Sequence, residues 1–248
     1  MPGPSKGYGA PYGHGYPAFA PPRVPPPVRL PGALSTALYI LLGLCVIAEL
    51  LGLIANSLEF SLYGRLKEDM DSVSGSEADA IDAFSVLTMM GRVPVAAITG
   101  IVFLVWFHRV RTNAETLGPA WPQRHSRGWA IGAWFVPLAN LWLPKRIADD
   151  IWNASDPAAR PGDPRTGAGR VSTAGPVLCW WLAWAGGNVV GMLAGAMEIG
   201  TEAHDFSGMQ AVFGMETTGS ALTAAAGVLA ILVVRRITAM QGVRHAMA

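Results

Sequence analysis

Residues 127–152 read RGWAIGAWFVPLANLWLPKRIADDIW. The stretch is apolar, rich in tryptophan, broken by Pro137 and Pro144, and flanked or interrupted by Arg124, Arg127, Lys145 and Arg146. Its apolar core, Trp129 to Leu143, spans 15 residues. As a helix it would reach roughly 22 Å, short of a bilayer core of about 30 Å. It therefore reads as a segment that dips into a membrane, or lies along one, and leaves on the side it entered.

The remaining sequence supplies the membrane. The chain has 248 residues, of which 51% are hydrophobic and 14% charged, against about 25% charged in soluble domains. The apolar residues are gathered into four long runs, with spans expected at about 34–55, 84–107, 174–197 and 217–234. The fold class is all-α: two transmembrane hairpins, within a membrane domain at 33–238, and between them a Trp-rich insert at about 127–153. Residues 1–32 are rich in proline and glycine and read as a disordered tail. Residues 239–248 form a short C-terminal tail. The first apolar run, about 22 residues from Ala33, is longer than a signal-peptide core and reads as a retained anchor.

Charge sets the orientation. The loop Asn56–Asp82 carries Glu59, Glu68, Asp69, Asp71, Glu77, Asp79 and Asp82, and the second acidic loop Glu198, Glu202, Asp205 and Glu216. Of the 18 lysines and arginines, these loops hold only Arg65 and Lys67, and Arg92 lies within a span. The others fall in the N-terminal tail, the central loop 108–173 and the C-terminal end from Arg235 onward. Positive residues stay cytoplasmic, so both termini and the central loop are expected inside a bacterial plasma membrane. A crossing by Trp129–Leu143 would invert every later element against this rule.

Glu49 and Arg92 stand alone inside apolar runs. A charge at mid-membrane costs roughly 2.5–3.5 kcal/mol, so each requires a partner or an aqueous path. An ion pair joining the first two spans is the favoured reading; snorkelling of Arg92 and a transport role remain open. All nine tryptophans lie between Trp106 and Trp184. Those of the insert either anchor and pack, or line a site at the cytoplasmic face, where Trp129, Trp134, Asn140, Trp142 and Arg146 are the candidates. Arg146 and Asp150 are spaced i,i+4, as for a pair on a surface helix. Gly187, Gly191 and Gly195 form a GxxxGxxxG row suited to close helix packing within the chain or in a homo-oligomer. Asn140 and Asn188 are placed to hydrogen-bond across helices.

Catalytic motifs are missing from the sequence: no HExxH, CxxC or P-loop pattern occurs, and no enzyme activity, metal or cofactor is expected. The tail segment PPRVPPPVRLP favours polyproline II and suits either a proline-binding protein partner or a solvated tether. Lipid is the other expected partner; nucleic acid is not expected. The favoured function is a non-enzymatic partner- or lipid-interacting module; the alternative is a small transporter or channel subunit using Glu49 and Arg92, and a membrane-bound enzyme ranks last.

VFLVWFHRVRTNAE, from Val102, echoes VLAILVVRRITAMQ, from Val228, as two hairpins closing at one membrane face would. The stretches FLVWFHRVRTNAETLGP, HSRGWAIGAWFVPLANLWLPKRIADDIWNASDP and VVRRITAMQ resemble a bacterial membrane family described as a domain of unknown function (DUF4328). The resemblance covers about residues 33–241. It implies a multi-span protein with a variable, often proline-rich N-terminal region, and supplies no activity or site residue.

Overall fold

The computed structural model describes residues 27–119, 121, 123–158, 174–202 and 204–247. The tail up to residue 26, with its expected docking role, and the linker from residue 159 lie outside the described residues. Every described element is helical: α1 (Gly32–Glu68), α2 (Gly75–Leu117), α3 (Trp129–Gly132), α4 (Leu143–Ser155), α5 (Gly175–Gly200) and α6 (Phe206–Met247). Four of these, α1, α2, α5 and α6, are long and apolar enough to cross a membrane.

Local sequence explains the ends. Leu58 and Leu62 continue the apolar spacing of α1 past its expected span, and the helix runs on to Glu68. Ser74 caps α2, its side chain accepting from the Glu77 N–H at 3.2 Å, while the Glu77 carboxylate pairs with Arg65 at 2.5 Å and ties the α1–α2 turn. At the other end α2 stops at Gly118, where a Cβ would lie 2.6 Å from the Ala154 carbonyl of α4. Only a glycine lets the two helices meet there. At ~1.5 Å per residue α5 is about 39 Å long, whereas α1, α2 and α6 reach roughly 55–65 Å and outrun a bilayer core.

α1 and α6 pack together at the centre, α2 lies on α1, and α5 lies on α6. The helix–helix contacts use small residues, among them Gly52, Ala55, Gly187, Gly219, Ser220 and Ala226. The large apolar side chains point out: Leu87, Val93 and Met192 are 67%, 66% and 70% exposed. In water that surface would drive aggregation; covered by lipid chains it costs nothing. The protein is an all-α membrane protein, with both described ends of the chain and the insert at its basic end.

The insert departs from expectation in its second half. The spacing of Leu143, Ile147 and Ile151 puts Lys145, Arg146, Asp149 and Asn153 on the other face of α4, yet Asp149, Asp150 and Asn153 are buried along with Ile147 and Ile151. The helix packs into the basic ends of α2, α5 and α6. Arg146 does not pair with Asp150: Arg124 does, at 2.9 Å, with Asp150 almost fully buried. Lys145 pairs with Asp149 at 2.7 Å. Spacing along one helix favoured Arg146, but Arg124 reaches Asp150 from a separate loop with two geometries at once, its backbone N–H and its guanidinium.

Candidate functional site

α2 and α5 do not pack along one another. They stand across a trough floored by α1 and α6, and the insert closes its basic end. Between Trp129 and Leu143 the chain makes one helical turn, a broken loop and a 3₁₀ turn at Ala139–Leu141. Arg127 bonds Glu115 of α2 at 2.7 Å, and α4 returns to the same end, so the loop's two feet stand together. Trp134 drops into the trough. Its ring meets Phe103 edge-on at 5.4 Å and Trp184 at 5.5 Å, with Phe107 and Trp181 both at 6.1 Å. The geometry is that of favourable edge-to-face aromatic pairs. Phe103 and Phe107 come from one face of α2 at i,i+4 spacing; Trp180, Trp181 and Trp184 come from the first turns of α5.

Beneath this plug lies an apolar cavity of about 350 Å³, lined by Cys45, Thr99, Phe103, Trp134, Trp184 and, at its far end, Glu49. Arg92 Nε stands 3.5 Å from Glu49 Oε1. The Glu49 side chain is 14% exposed, and its Oε2 has no hydrogen-bond partner among the described residues. Gly52 makes the seat: a Cβ there would fall 2.7 Å from Arg92 Nη1. Beyond Arg92 a second, polar cavity of about 590 Å³ opens toward the acidic end, and Thr223 lines both. Each long helix contributes one carboxylate to it: Glu59, Asp82, Glu198 and Glu216. Among the described residues no group of His, Cys, Asp or Glu side chains is arranged to hold a metal ion.

The five insert candidates do not converge. Trp134 enters the trough, Trp129 and Trp142 are 39% and 45% exposed, and Arg146 is exposed, its carbonyl accepting from Arg124 at 2.8 Å. Asn140 Oδ1 is buried and, among the described residues, has no partner; Asn188 bonds the Trp184 carbonyl of its own helix rather than another helix. Of the glycine row, Gly187 meets α6, where a Cβ would stand 2.6 Å from Thr223 Oγ1 and 3.2 Å from the Gly219 carbonyl. A Cβ on Gly191 or Gly195 would meet nothing within 4 Å.

A polar clamp at the basic end holds the insert in place. Asn113 exchanges two hydrogen bonds with the Arg29 backbone and donates to Gln241 Oε1 at 3.1 Å. Gln241 in turn donates to the Val110 carbonyl and to Ser155. The two echoing segments thus meet through their own polar residues. Buried Arg111 donates to Glu115 at 2.8 Å and to the His125 carbonyl. Burial holds the His125 imidazole below its usual range, helped by Arg124, Arg146 and Arg111 and opposed by Asp150. Burial also raises the Asp149 carboxyl, with Lys145 opposing. Residue spacing gave no sign of this clamp, because the partners of Asn113 and Gln241 lie 84 to 131 residues away along the chain.

The family model for the domain of unknown function DUF4328 matches residues 69–239. The chain belongs to the DUF4328 family. Searches of curated proteins and of solved structures return no match. The match is narrower than the sequence resemblance suggested: it begins after α1, so the DUF4328 segment holds the plug, Arg92 and Asn113 of the clamp, whereas Glu49 and Gly52 lie before it and Gln241 after it.

Proposed function

We propose that this DUF4328 protein is a non-enzymatic, membrane-embedded binding module that takes the apolar part of an amphiphile into the cavity beneath Trp134. The observation that carries this reading is the cavity itself. It is apolar, of about 350 Å³, at the lower end of the roughly 300–1,000 Å³ of small-molecule sites. It lies between α2 and α5, two helices whose outer faces suit lipid, so an occupant can enter sideways from the bilayer. Trp129, Phe135, Leu138 and Trp142 are exposed around the plug, as suits a segment at headgroup level. The arginine bias supports a bacterial plasma membrane location, with this end and both termini cytoplasmic.

The test uses Gly100, which lines the cavity and whose Cβ would meet nothing within 4 Å. Gly100→Trp should fill the space without moving the backbone. Native mass spectrometry of protein released from lipid nanodiscs is expected to show a retained amphiphile on the wild type and none on Gly100→Trp. Equal retention on both overturns the reading.

A second reading, a small transporter or channel subunit, is favoured by one observation: Glu49 lines the apolar cavity, Arg92 the polar one, and Thr223 both. Flux in reconstituted vesicles that depends on Glu49 would select it.

A further inference from the structure

We infer that the apolar cavity selects amphiphiles with a cationic head, and that Glu49 together with the surrounding aromatic rings is the selecting element. This rests on the cavity being a binding site at all. The cavity walls are almost wholly apolar and aromatic, with Phe103, Trp134, Trp180 and Trp184 among them, and Glu49 is the one acid that lines them. Ring faces attract cations through their quadrupole, and tryptophan does so best. A carboxylate in the same apolar chamber adds an acidic partner where the apolar walls screen an arriving cation little.

Glu49 is also incompletely used. Arg92 approaches one oxygen at 3.5 Å, longer than a good hydrogen bond, and the other oxygen is buried with no partner among the described residues. A buried acceptor left unmade is costly and requires a reason. A cationic head in the cavity that Glu49 lines would supply the partner this oxygen lacks once the carboxylate turns toward it. Arg92 meanwhile lines the second cavity with Glu59, Asp82, Glu198 and Glu216, so it retains carboxylates nearby when Glu49 turns to a ligand. An anionic or neutral head finds no such match: the apolar cavity offers it no cation of its own.

Three probes separate the possibilities: octyltrimethylammonium, the hydrocarbon in which carbon replaces its nitrogen, and octanesulfonate. Each is titrated against the full-length protein in nanodiscs, with Gly100→Trp in the same membrane as the background for partition into lipid. Above that background the wild type should bind the ammonium about tenfold more tightly than the hydrocarbon, and the sulfonate not at all. Glu49→Gln should bring the ammonium-to-hydrocarbon affinity ratio down to about one, and Glu49→Asp should restore part of it. If all three probes bind above background with equal affinity, the charge selection is wrong and the cavity reading stands. If none exceeds the background, the cavity reading itself falls, and the inference with it. Should Glu49→Gln fail to fold, the wild-type ranking of the three probes decides alone.

Discussion

At the scale of single residues, burial outweighs spacing. Asp150 sits one helical turn from Arg146, yet its partner is Arg124, and Asp150 is the buried member. Asp150→Asn should therefore cost about 1–3 kcal/mol, held below the full price of a broken buried pair because Arg124 can turn to water. Arg146→Ala should cost less than about 0.5 kcal/mol; thermal midpoints in detergent compare the two, and equal losses would restore the i,i+4 pair. His125 gives the pH dependence. Its folded pKa lies below the ordinary value, so the unfolded chain takes the proton first. Stability is then present above about pH 6.5 and is lost as pH falls through that value toward the folded pKa. Asp149, raised by burial, acts with the opposite sign. The comparison is therefore wild type against His125→Gln, in which Asp149 cancels. His125→Gln should flatten the acid side of the midpoint-against-pH curve, and an unchanged curve would refute the assignment.

Among the elements, the insert loop is under strain at one position. Leu138, directly after Pro137, has φ 62° and ψ −49°, a region L-residues avoid, while its side chain is 72% exposed. The cost of such a conformation is about 1–3 kcal/mol, maintained only where the surroundings fix it. Here the fixing contacts are the Trp134 plug on one side and the α4 clamp on the other. Leu138→Gly should raise the detergent midpoint by an amount worth about 1 kcal/mol. A fall would mean that the exposed leucine holds something the strain supports.

For the whole molecule, the consequence is an arrangement of sides. The plug, the clamp and both described chain ends share the basic end; the two acidic turns share the other. In a background with both native cysteines replaced, single cysteines at Asp71, Ser126 and His245 test this. An impermeant maleimide should label position 71 on intact cells, and positions 126 and 245 only after permeabilisation. Labelling of 126 and 245 from opposite sides would require the insert to cross. Of the glycine row, Gly187 and Gly191 both face α6 at Gly219, and Gly191 opens on the polar cavity.

Four long apolar helices, the place of the break between the hairpins, the crowding of arginine at one end and the two lone charges within the spans are all legible along the chain. Each follows from composition over a window of neighbouring residues, because hydration energy is summed locally along the chain. It takes the folded arrangement to show that Trp134 plugs a trough between α2 and α5, that Gly52 seats Arg92, that the acidic residues of α4 are buried, and that Arg124 rather than Arg146 holds Asp150. Those outcomes depend on which distant segments come within a few ångströms of each other, and neither periodicity nor spacing records a distance across the fold.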